Sequence, residues 1–268
     1  MNDTTHDKPH PVSVRSVHLR YRQLEVLRGV SLYIHEAEGV VLLGANGSGK
    51  STLMRTLNGL ARPQSGDIRI AGESVITARG PALRAIRRRM GYVFQQFNLV
   101  TQLTAFQNVL FGVLGARPFG LLRCLASTAS AEDREYAMAC LERVGMADRA
   151  HHRPAELSGG QQQRVAIARM LMQRPALVIA DEPIASLDPR GGREVLDLLW
   201  SIVREDNLAM LCTLHQLDLA RHYADRIVGI KDGVTAIDCA ADEVDTDGLN
   251  GLYDNNADLP ADVEVALS

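Results

Sequence analysis

The chain has 268 residues, of which 46% are hydrophobic and 23% charged, and its formal net charge is −3. This length can bury a large core as one domain or as two small ones. The balanced charge gives no overall attraction to nucleic acid or to anionic lipid. No apolar run approaches the roughly 18 residues of a membrane-spanning helix, and the N-terminus lacks the apolar region of a secretory signal.

The cysteines indicate neither a metal site nor a redox site. The four of them are not arranged in a C-x-x-C pair, which argues against zinc binding and thiol exchange. We therefore expect reduced thiols at Cys124, Cys140, Cys212 and Cys239.

The first third of the chain predicts a sheet followed by a strand–helix unit. Residues 1–11 are polar, and we expect them to be flexible. Apolar residues alternate over 12–34, which predicts a small antiparallel sheet. Residues 39–43 form a short apolar run, typical of a buried parallel strand. Helical spacing follows over 51–60, and residues 65–75 have the pattern of a hairpin.

The remainder predicts a helical insert and then alternating strands and helices. Apolar residues recur at helical spacing over about 96–157, and residues 131–146 form a clearly amphipathic pattern with acids in the first turn. Strands are predicted at 176–182, 208–215 and 225–233, and helices at 161–173, 193–205 and 217–224. This alternation predicts an α/β fold with a mostly parallel sheet covered on both faces.

The end of the chain has a different composition. Residues 241–268 contain eight acidic residues and no lysine or arginine. Such a segment is most often solvated and partly disordered, so we predict an acidic C-terminal tail. A regulatory or partner-binding tail is the alternative.

A phosphate-binding pattern lies between the strand at 39–43 and the helix that follows. The stretch GANGSGKST matches G-x-x-x-x-G-K-[ST]. Glycines let successive backbone N–H groups converge on a phosphate, and the helix N-terminus adds its positive dipole end. Lys50 adds a full positive charge on the β- and γ-phosphates, and the Ser51 hydroxyl is a ligand for Mg²⁺. The predicted ATP-binding residues are Gly44, Asn46, Gly47, Ser48, Gly49, Lys50, Ser51 and Thr52.

Polar residues at the ends of other predicted strands supply the remaining chemistry. Asp181 ends a hydrophobic strand, where it would hold Mg²⁺, and Glu182 is the candidate general base for the attacking water. His215 would contact the γ-phosphate, and Gln95 would bind Mg²⁺ or water without adding charge. Each of these four residues alone is weak evidence of function, because acids commonly end strands and lone histidines are commonly structural. The phosphate loop in the same chain strengthens the functional interpretation of all four.

The string LSGGQQQR at 157–164 closely resembles the signature motif of ABC ATPases. The other motifs described above resemble further motifs of the same family. The resemblance covers roughly 12–240 and implies a P-loop NTPase core, with an N-terminal antiparallel β subdomain and an inserted α-helical subdomain. It implies that Tyr21 stacks on adenine and that Asp188 lies in the D-loop at the dimer interface. It also implies contact with ATP bound to a second subunit, through the signature residues Ser158, Gly159, Gly160 and Gln161.

The same resemblance implies partners and a location. Two such subunits, here a homodimer, would sandwich two ATP molecules, and Gln95 with the insert would pass the motion to separate transmembrane permease subunits. A solute-binding protein would act indirectly, and the chain would lie on the cytoplasmic face of the bacterial inner membrane. The segments GYVFQQFNLV and VLGARPFG are similar to those of ATPases from bacterial phosphonate importers. Phosphite or phosphate esters are alternative substrates.

Two other functions remain as alternatives. A soluble ABC ATPase acting on nucleic acid or ribosomes would typically carry a long coiled coil or two tandem ATPase domains, and neither pattern is found here. The basic run over 84–89 is more typical of a solvated or membrane-facing helix surface than of a nucleic-acid site. A regulatory module that binds ATP without turnover is disfavoured because Glu182 and His215 are both present.

Overall fold

The structure is a computed structural model that describes residues 10–113, 129–244 and 246–253. Within these ranges the chain forms two compact units. Residues up to Ile86 and from His215 onward belong to the first unit, and Arg87–Leu214 form the second. The predicted flexible residues 1–11 fall mostly outside the described residues, as does part of the predicted insert, at 114–128.

The first unit contains the predicted antiparallel sheet. Its strands are β1 (Val12–Tyr21), β2 (Leu24–Ile34), β4 (Ser65–Ile70) and β5 (Glu73–Ser74), arranged in the order β2-β1-β4-β5. The strands pair antiparallel throughout. Alternating residues such as Val12, Val14 and Leu32 are buried, which explains why the period-two pattern of the sequence identified this sheet.

The first unit also contains the strand that leads into the phosphate loop. Strand β3 (Gly39–Leu43) runs parallel to β9 (Arg226–Lys231), and β10 (Val234–Ala240) pairs antiparallel with β9. All five residues of β3 are buried, as expected for a continuous apolar run in a parallel sheet. The helices that begin in this unit are α1 (Lys50–Leu57), α2 (Gly80–Arg88), α7 (Leu217–Tyr223) and α8 (Thr246–Gly251).

The second unit combines three parallel strands with the helical insert. Strands β6 (Met90–Phe94), β7 (Leu177–Asp181) and β8 (Ala209–Thr213) pair in that order, and each pair is parallel. The helices are α3 (Ala105–Leu110), α4 (Ala131–Arg143), α5 (Gly159–Leu171) and α6 (Pro189–Glu205). The two units together confirm the predicted α/β class, the antiparallel sheet, the mostly parallel strand pairing and the helical insert.

One detail differs from the prediction. Strand β10 was not predicted, because its exposed and half-buried residues show no clear alternation of apolar and polar types. Within the region predicted as a helical insert, at about 96–157, the first helix begins at Ala105. Thr104 sets this start, since its hydroxyl accepts from the Gln107 amide and the Gln107 side chain accepts from the Thr104 amide, which forms a capping box.

The start of the predicted acidic tail is packed rather than solvated. Val244 is 5% exposed, Leu252 is 3% exposed and Leu249 is fully buried. These apolar side chains lie among the acidic residues that dominated the composition. Leu249 is within α8, and the other two flank the helix on either side. Packing therefore continues past the predicted domain boundary at residue 240, at least to Tyr253, the last residue that the structure describes.

The thiols agree with the sequence where they can be seen. Cys140 and Cys212 are buried, Cys239 is partly exposed, and all three are free, whereas Cys124 lies outside the described residues. In the described parts of the chain, no helix combines the length and apolarity needed to cross a membrane.

Candidate functional site

The phosphate loop begins where β3 ends, at a glycine that no other residue can replace without strain. Gly44 has a φ of +145°, and a Cβ built there would lie 2.2 Å from the Ile230 carbonyl oxygen and 2.7 Å from the Ser48 hydroxyl. L-residues rarely adopt this φ, and the backbone of the neighbouring strand cannot give way. The glycine of the sequence pattern is thus required by close packing as well as by the turn.

Helix α1 starts inside the loop without a side-chain cap. Gly49, its N-cap residue, has a φ of +113° and makes no side-chain cap hydrogen bond. The Lys50 ammonium group donates to the carbonyl oxygens of Gly44 and Ala45, at 2.7 and 2.9 Å. The lysine therefore reaches back across the loop, and its charge lies at the positive end of the helix, where an anion is favoured.

The loop also carries an orphaned polar atom. The Ser48 hydroxyl oxygen is buried and has no hydrogen-bond partner among the described residues. A buried hydroxyl without a partner is costly, and an oxygen-rich anion in the loop would relieve this cost. Asn46, Gly47 and Ser51 are exposed, while Thr52 is buried at the first turn of α1. These features fit the binding of a nucleoside triphosphate.

In the second unit, three strands end in one row. Phe94 pairs with Asp181, and Asp181 pairs with Thr213. Gln95 and Glu182 each follow a member of this row by one residue, so the two predicted catalytic residues lie on adjacent strand ends. The carboxyl ends of parallel strands are where open α/β sheets bind ligands.

Thr213 connects the two acidic residues at this edge, and sequence reasoning did not identify it. Its hydroxyl accepts a hydrogen bond from the Glu182 amide at 2.9 Å and donates one to Asp181 Oδ1 at 2.8 Å. Glu182 has a φ of +47°, a left-handed conformation that is unfavourable for a residue with a Cβ. The Thr213 hydroxyl thus holds a strained backbone in place and fixes the Asp181 carboxylate.

Gln163 is a second residue that sequence reasoning missed. It lies on α5 and is fully buried, and its amide nitrogen donates to the carbonyl oxygens of Phe94 and Pro183. Phe94 immediately precedes Gln95, and Pro183 immediately follows Glu182. The Gln163 side-chain amide therefore connects the signature helix α5 to the backbone next to these two predicted catalytic residues. The only sequence signal was a glutamine on an otherwise apolar helix face.

The signature sequence forms the N-terminus of α5. The Ser158 hydroxyl accepts from the Gln161 amide at 3.3 Å, and Gln161 Oε1 accepts from the Ser158 amide at 2.9 Å, which is a capping box. A Cβ at Gly159 would lie 3.2 Å from Leu187, whereas one at Gly160 would meet nothing within 4 Å. A Cβ at the first glycine would move the Leu187 side chain by a few tenths of an ångström, and the second glycine leaves the helix end open to a ligand.

A cavity of about 490 Å³ lies in front of this helix end, and Asp188 is on its wall. Asp188 is also the N-cap of α6, since its carboxylate accepts from the amides of Gly191 at 2.9 Å and Arg190 at 3.1 Å. The hydrogen bond from the Gly191 amide is the main cause that lowers the pKa of Asp188 below its usual value. The predicted D-loop residue therefore has a structural role as the N-cap of α6.

The other predicted site residues are in the first unit. Tyr21 is the last residue of β1 and is partly exposed, and His215 is exposed. No group of three or more His, Cys, Asp or Glu side chains within the described ranges is arranged to hold a metal ion. The predicted Mg²⁺ ligands Ser51, Gln95 and Asp181 form a different kind of set, with hydroxyl, amide and carboxylate oxygens, which are the ligands that Mg²⁺ prefers.

Comparison with known proteins agrees with these motifs. The family model described as ABC transporter matches residues 27–185. The chain is 51% identical over 234 residues to a phosphonates import ATP-binding protein of Nocardia farcinica, with 87% of each chain covered. It is 49% identical over 242 residues to a phosphate-import ATP-binding protein of Mycolicibacterium smegmatis, covering 90% of this chain and 91% of that one.

A solved structure shows the same fold. It is a dimeric ATP-binding cassette in a post-hydrolysis state with ADP and phosphate, and it is 34% identical to this chain. The TM-score is 0.71, with 86% of this chain and 98% of that one covered. The motifs, the two halves of the fold and these relatives lead to one conclusion: the chain is an ATP-binding protein of the ABC transporter family.

Proposed function

We propose that this chain hydrolyses ATP to power the import of phosphonate, or of a closely related phosphorus oxyanion, through separate transmembrane subunits. The observation that carries the proposal is the identity of about half of all aligned residues to import ATPases over nearly the whole chain. Those relatives are named for phosphonates and for phosphate. The common chemistry is a small phosphorus oxyanion, and phosphonate is the member we propose.

ATP binding is assigned to the phosphate loop. The Lys50 ammonium group, already at the helix N-terminus, would exchange its two carbonyl partners for phosphate oxygens. The Ser48 hydroxyl would gain the partner that it lacks. Tyr21 would stack on the adenine base. Mg²⁺, which neutralises charge on the phosphates when it is bound, is assigned to oxygens of Ser51, Gln95 and Asp181.

Hydrolysis is assigned to Glu182 as general base, which takes a proton from the attacking water. Its carboxylate position depends on the left-handed backbone that the Thr213 hydroxyl holds. His215 is assigned to contact and sense the γ-phosphate. Gln95, one residue beyond β6, is assigned to report the state of the site to the permease subunits.

We further propose that the active form is a homodimer on the cytoplasmic face of the bacterial inner membrane. The signature helix end of one subunit, with Ser158, Gly160 and Gln161 around it, would contact the γ-phosphate held by the partner, and Asp188 would lie at that interface. The open space beside Gly160 and the cavity in front of it support this assignment. The partners of the dimer would be permease subunits and, indirectly, a solute-binding protein.

Growth of the source bacterium with the gene deleted tests the substrate. We expect loss of growth on an alkylphosphonate as sole phosphorus source, with growth kept on phosphate and on phosphite. The wild-type gene should restore growth, and a Glu182→Gln variant should not. Normal growth of the deletion strain on alkylphosphonate, in a strain without a second phosphonate importer, would reject the substrate assignment and leave the family assignment in place.

A purified Glu182→Gln variant tests the catalytic assignment separately. Because only the proton acceptor is changed, we expect ATP binding to be kept, turnover to be abolished and an ATP-bound dimer to accumulate in size-exclusion chromatography. Lys50→Ala is the matched binding control, since it should weaken ATP binding itself. Normal turnover by Glu182→Gln would remove Glu182 from its assigned role.

A further inference from the structure

The C-terminal segment, which we define as residues 246–253, packs against the strand that flanks the phosphate loop. Leu252 is 3% exposed, and a Cβ built at Gly229 of β9 would lie 2.6 Å from its Cδ1 atom. A larger residue at position 229 would therefore push the Leu252 side chain out of its present position. Leu249 is fully buried as well, so the segment is anchored by two apolar side chains.

A lysine holds the same segment from the end of β9. The Lys231 ammonium group donates to the Gly251 carbonyl oxygen at 2.7 Å. The carbonyl is at the C-terminal end of α8, where a positive charge is favoured by the helix dipole. Lysine is rare in this chain, with three in 268 residues, and one of them is used for this contact.

The stretch of β9 between these contacts also supports the phosphate loop. Gly229 pairs with Leu43, the residue before Gly44. The next residue, Ile230, presents the carbonyl oxygen that would lie 2.2 Å from a Cβ at Gly44. Three consecutive residues, Gly229 to Lys231, thus contact the C-terminal segment and the start of the loop.

The first residue of the loop is held from a second side as well. The Gly44 carbonyl oxygen accepts a hydrogen bond from the Lys50 ammonium group at 2.7 Å. Contacts from β9 and from α1 therefore both act on this glycine.

We propose that the C-terminal segment positions the start of the phosphate loop, with Leu252 as a positioning residue for nucleotide binding. The inference rests on the role assigned above to the phosphate loop. A glycine at a φ of +145° has no side chain to restrict it, so its conformation depends on contacts made to its peptide groups. Apparent affinity falls with the fraction of molecules whose loop is correctly arranged.

Equilibrium binding of a non-hydrolysable ATP analogue to the intact chain tests the proposal. Leu252→Ala removes the side chain that packs on Gly229 and should weaken binding by about three- to tenfold. Leu208→Ala is the matched control, because Leu208 is also a buried leucine but lies in the second unit, just before β8. It should leave the affinity unchanged. Wild-type affinity in Leu252→Ala, or equal weakening in both variants, would overturn the proposal.

Two further variants separate this proposal from the one on which it rests. Lys50→Ala should lose affinity whether or not the segment is intact, so unchanged binding in that variant would count against the loop assignment itself. Gly229→Ala should displace the Leu252 side chain and weaken binding while leaving the leucine in place in the sequence. If both changes act through the segment, the double variant with Leu252→Ala should lose less affinity than the product of the single losses. Full additivity would contradict a shared mechanism.

Discussion

Replacing Thr213 by valine keeps the shape of the side chain and removes the hydroxyl that links the two acidic residues. Thr213 is 3% exposed, and its hydroxyl makes two hydrogen bonds, at 2.8 and 2.9 Å. A hydrogen bond to a backbone amide contributes about 1 kcal/mol and one to a carboxylate about 1.5–3 kcal/mol. We expect Thr213→Val to lower the free energy of unfolding by about 2–4 kcal/mol.

The loss should appear in stability and in turnover together. A change of this size lowers Tm by about 5–10 °C in a chain of this length. The Glu182 backbone would lose a contact that stabilises its left-handed conformation, so kcat should fall by about tenfold or more, as expected when a catalytic group is misplaced. Thermal unfolding followed by circular dichroism and a coupled phosphate-release assay measure the two effects.

Thr213→Ser provides the matched control. It keeps the hydroxyl and removes one methyl group, which costs about 1 kcal/mol when buried. Its turnover should stay close to that of the wild type. If Thr213→Val and Thr213→Ser were equally stable and equally active, the two hydrogen bonds would not hold the acidic pair, and the reasoning would be refuted.

Three further predictions concern other described contacts. Gln163→Met should reduce kcat more than it changes KM, because the two lost hydrogen bonds hold the backbone next to Gln95 and Glu182. Wild-type kcat and KM in steady-state kinetics would contradict this. Burial raises the pKa of Cys140 to about 11, so about one Cys140 thiol in a thousand is ionised at pH 8. In the native protein, Cys239 should therefore react with a thiol reagent far faster than Cys140. Equal labelling rates of the two cysteines by mass spectrometry would contradict this. Deleting 241–268 should lower stability by about 3 kcal/mol more than deleting 254–268, since it removes two buried leucines; equal denaturation midpoints would show that their packing contributes nothing.

The parts of the site that the sequence predicted are those whose signal is local. The phosphate loop, the signature and the acids after β7 each occupy one short stretch, and the chemistry of each stretch is set by its own backbone. Gly44 and Ser158 illustrate this, because a turn and a capping box lie within a few residues. In the structure, Gly44 follows β3 and Ser158 is the N-cap of α5.

The parts that the sequence missed are joined through space. Thr213 is 31 residues from Glu182, and Gln163 is 69 residues from Phe94, so no local pattern marks either contact. The C-terminal segment was missed for a different reason. Its acidic composition concealed two buried leucines, because an average over 28 residues does not show which single apolar residues among the acids are buried.

The left-handed backbone of Glu182 has a consequence for how this protein could diverge. At a φ of +47°, a glycine would avoid a conformational penalty of about 1 kcal/mol that the glutamate carries. A gene copy released from selection for hydrolysis would therefore gain stability by losing the glutamate that we propose as the general base, and such a copy would persist as a well-folded partner that binds ATP without cleaving it. Selection for turnover alone keeps the less stable residue at this position.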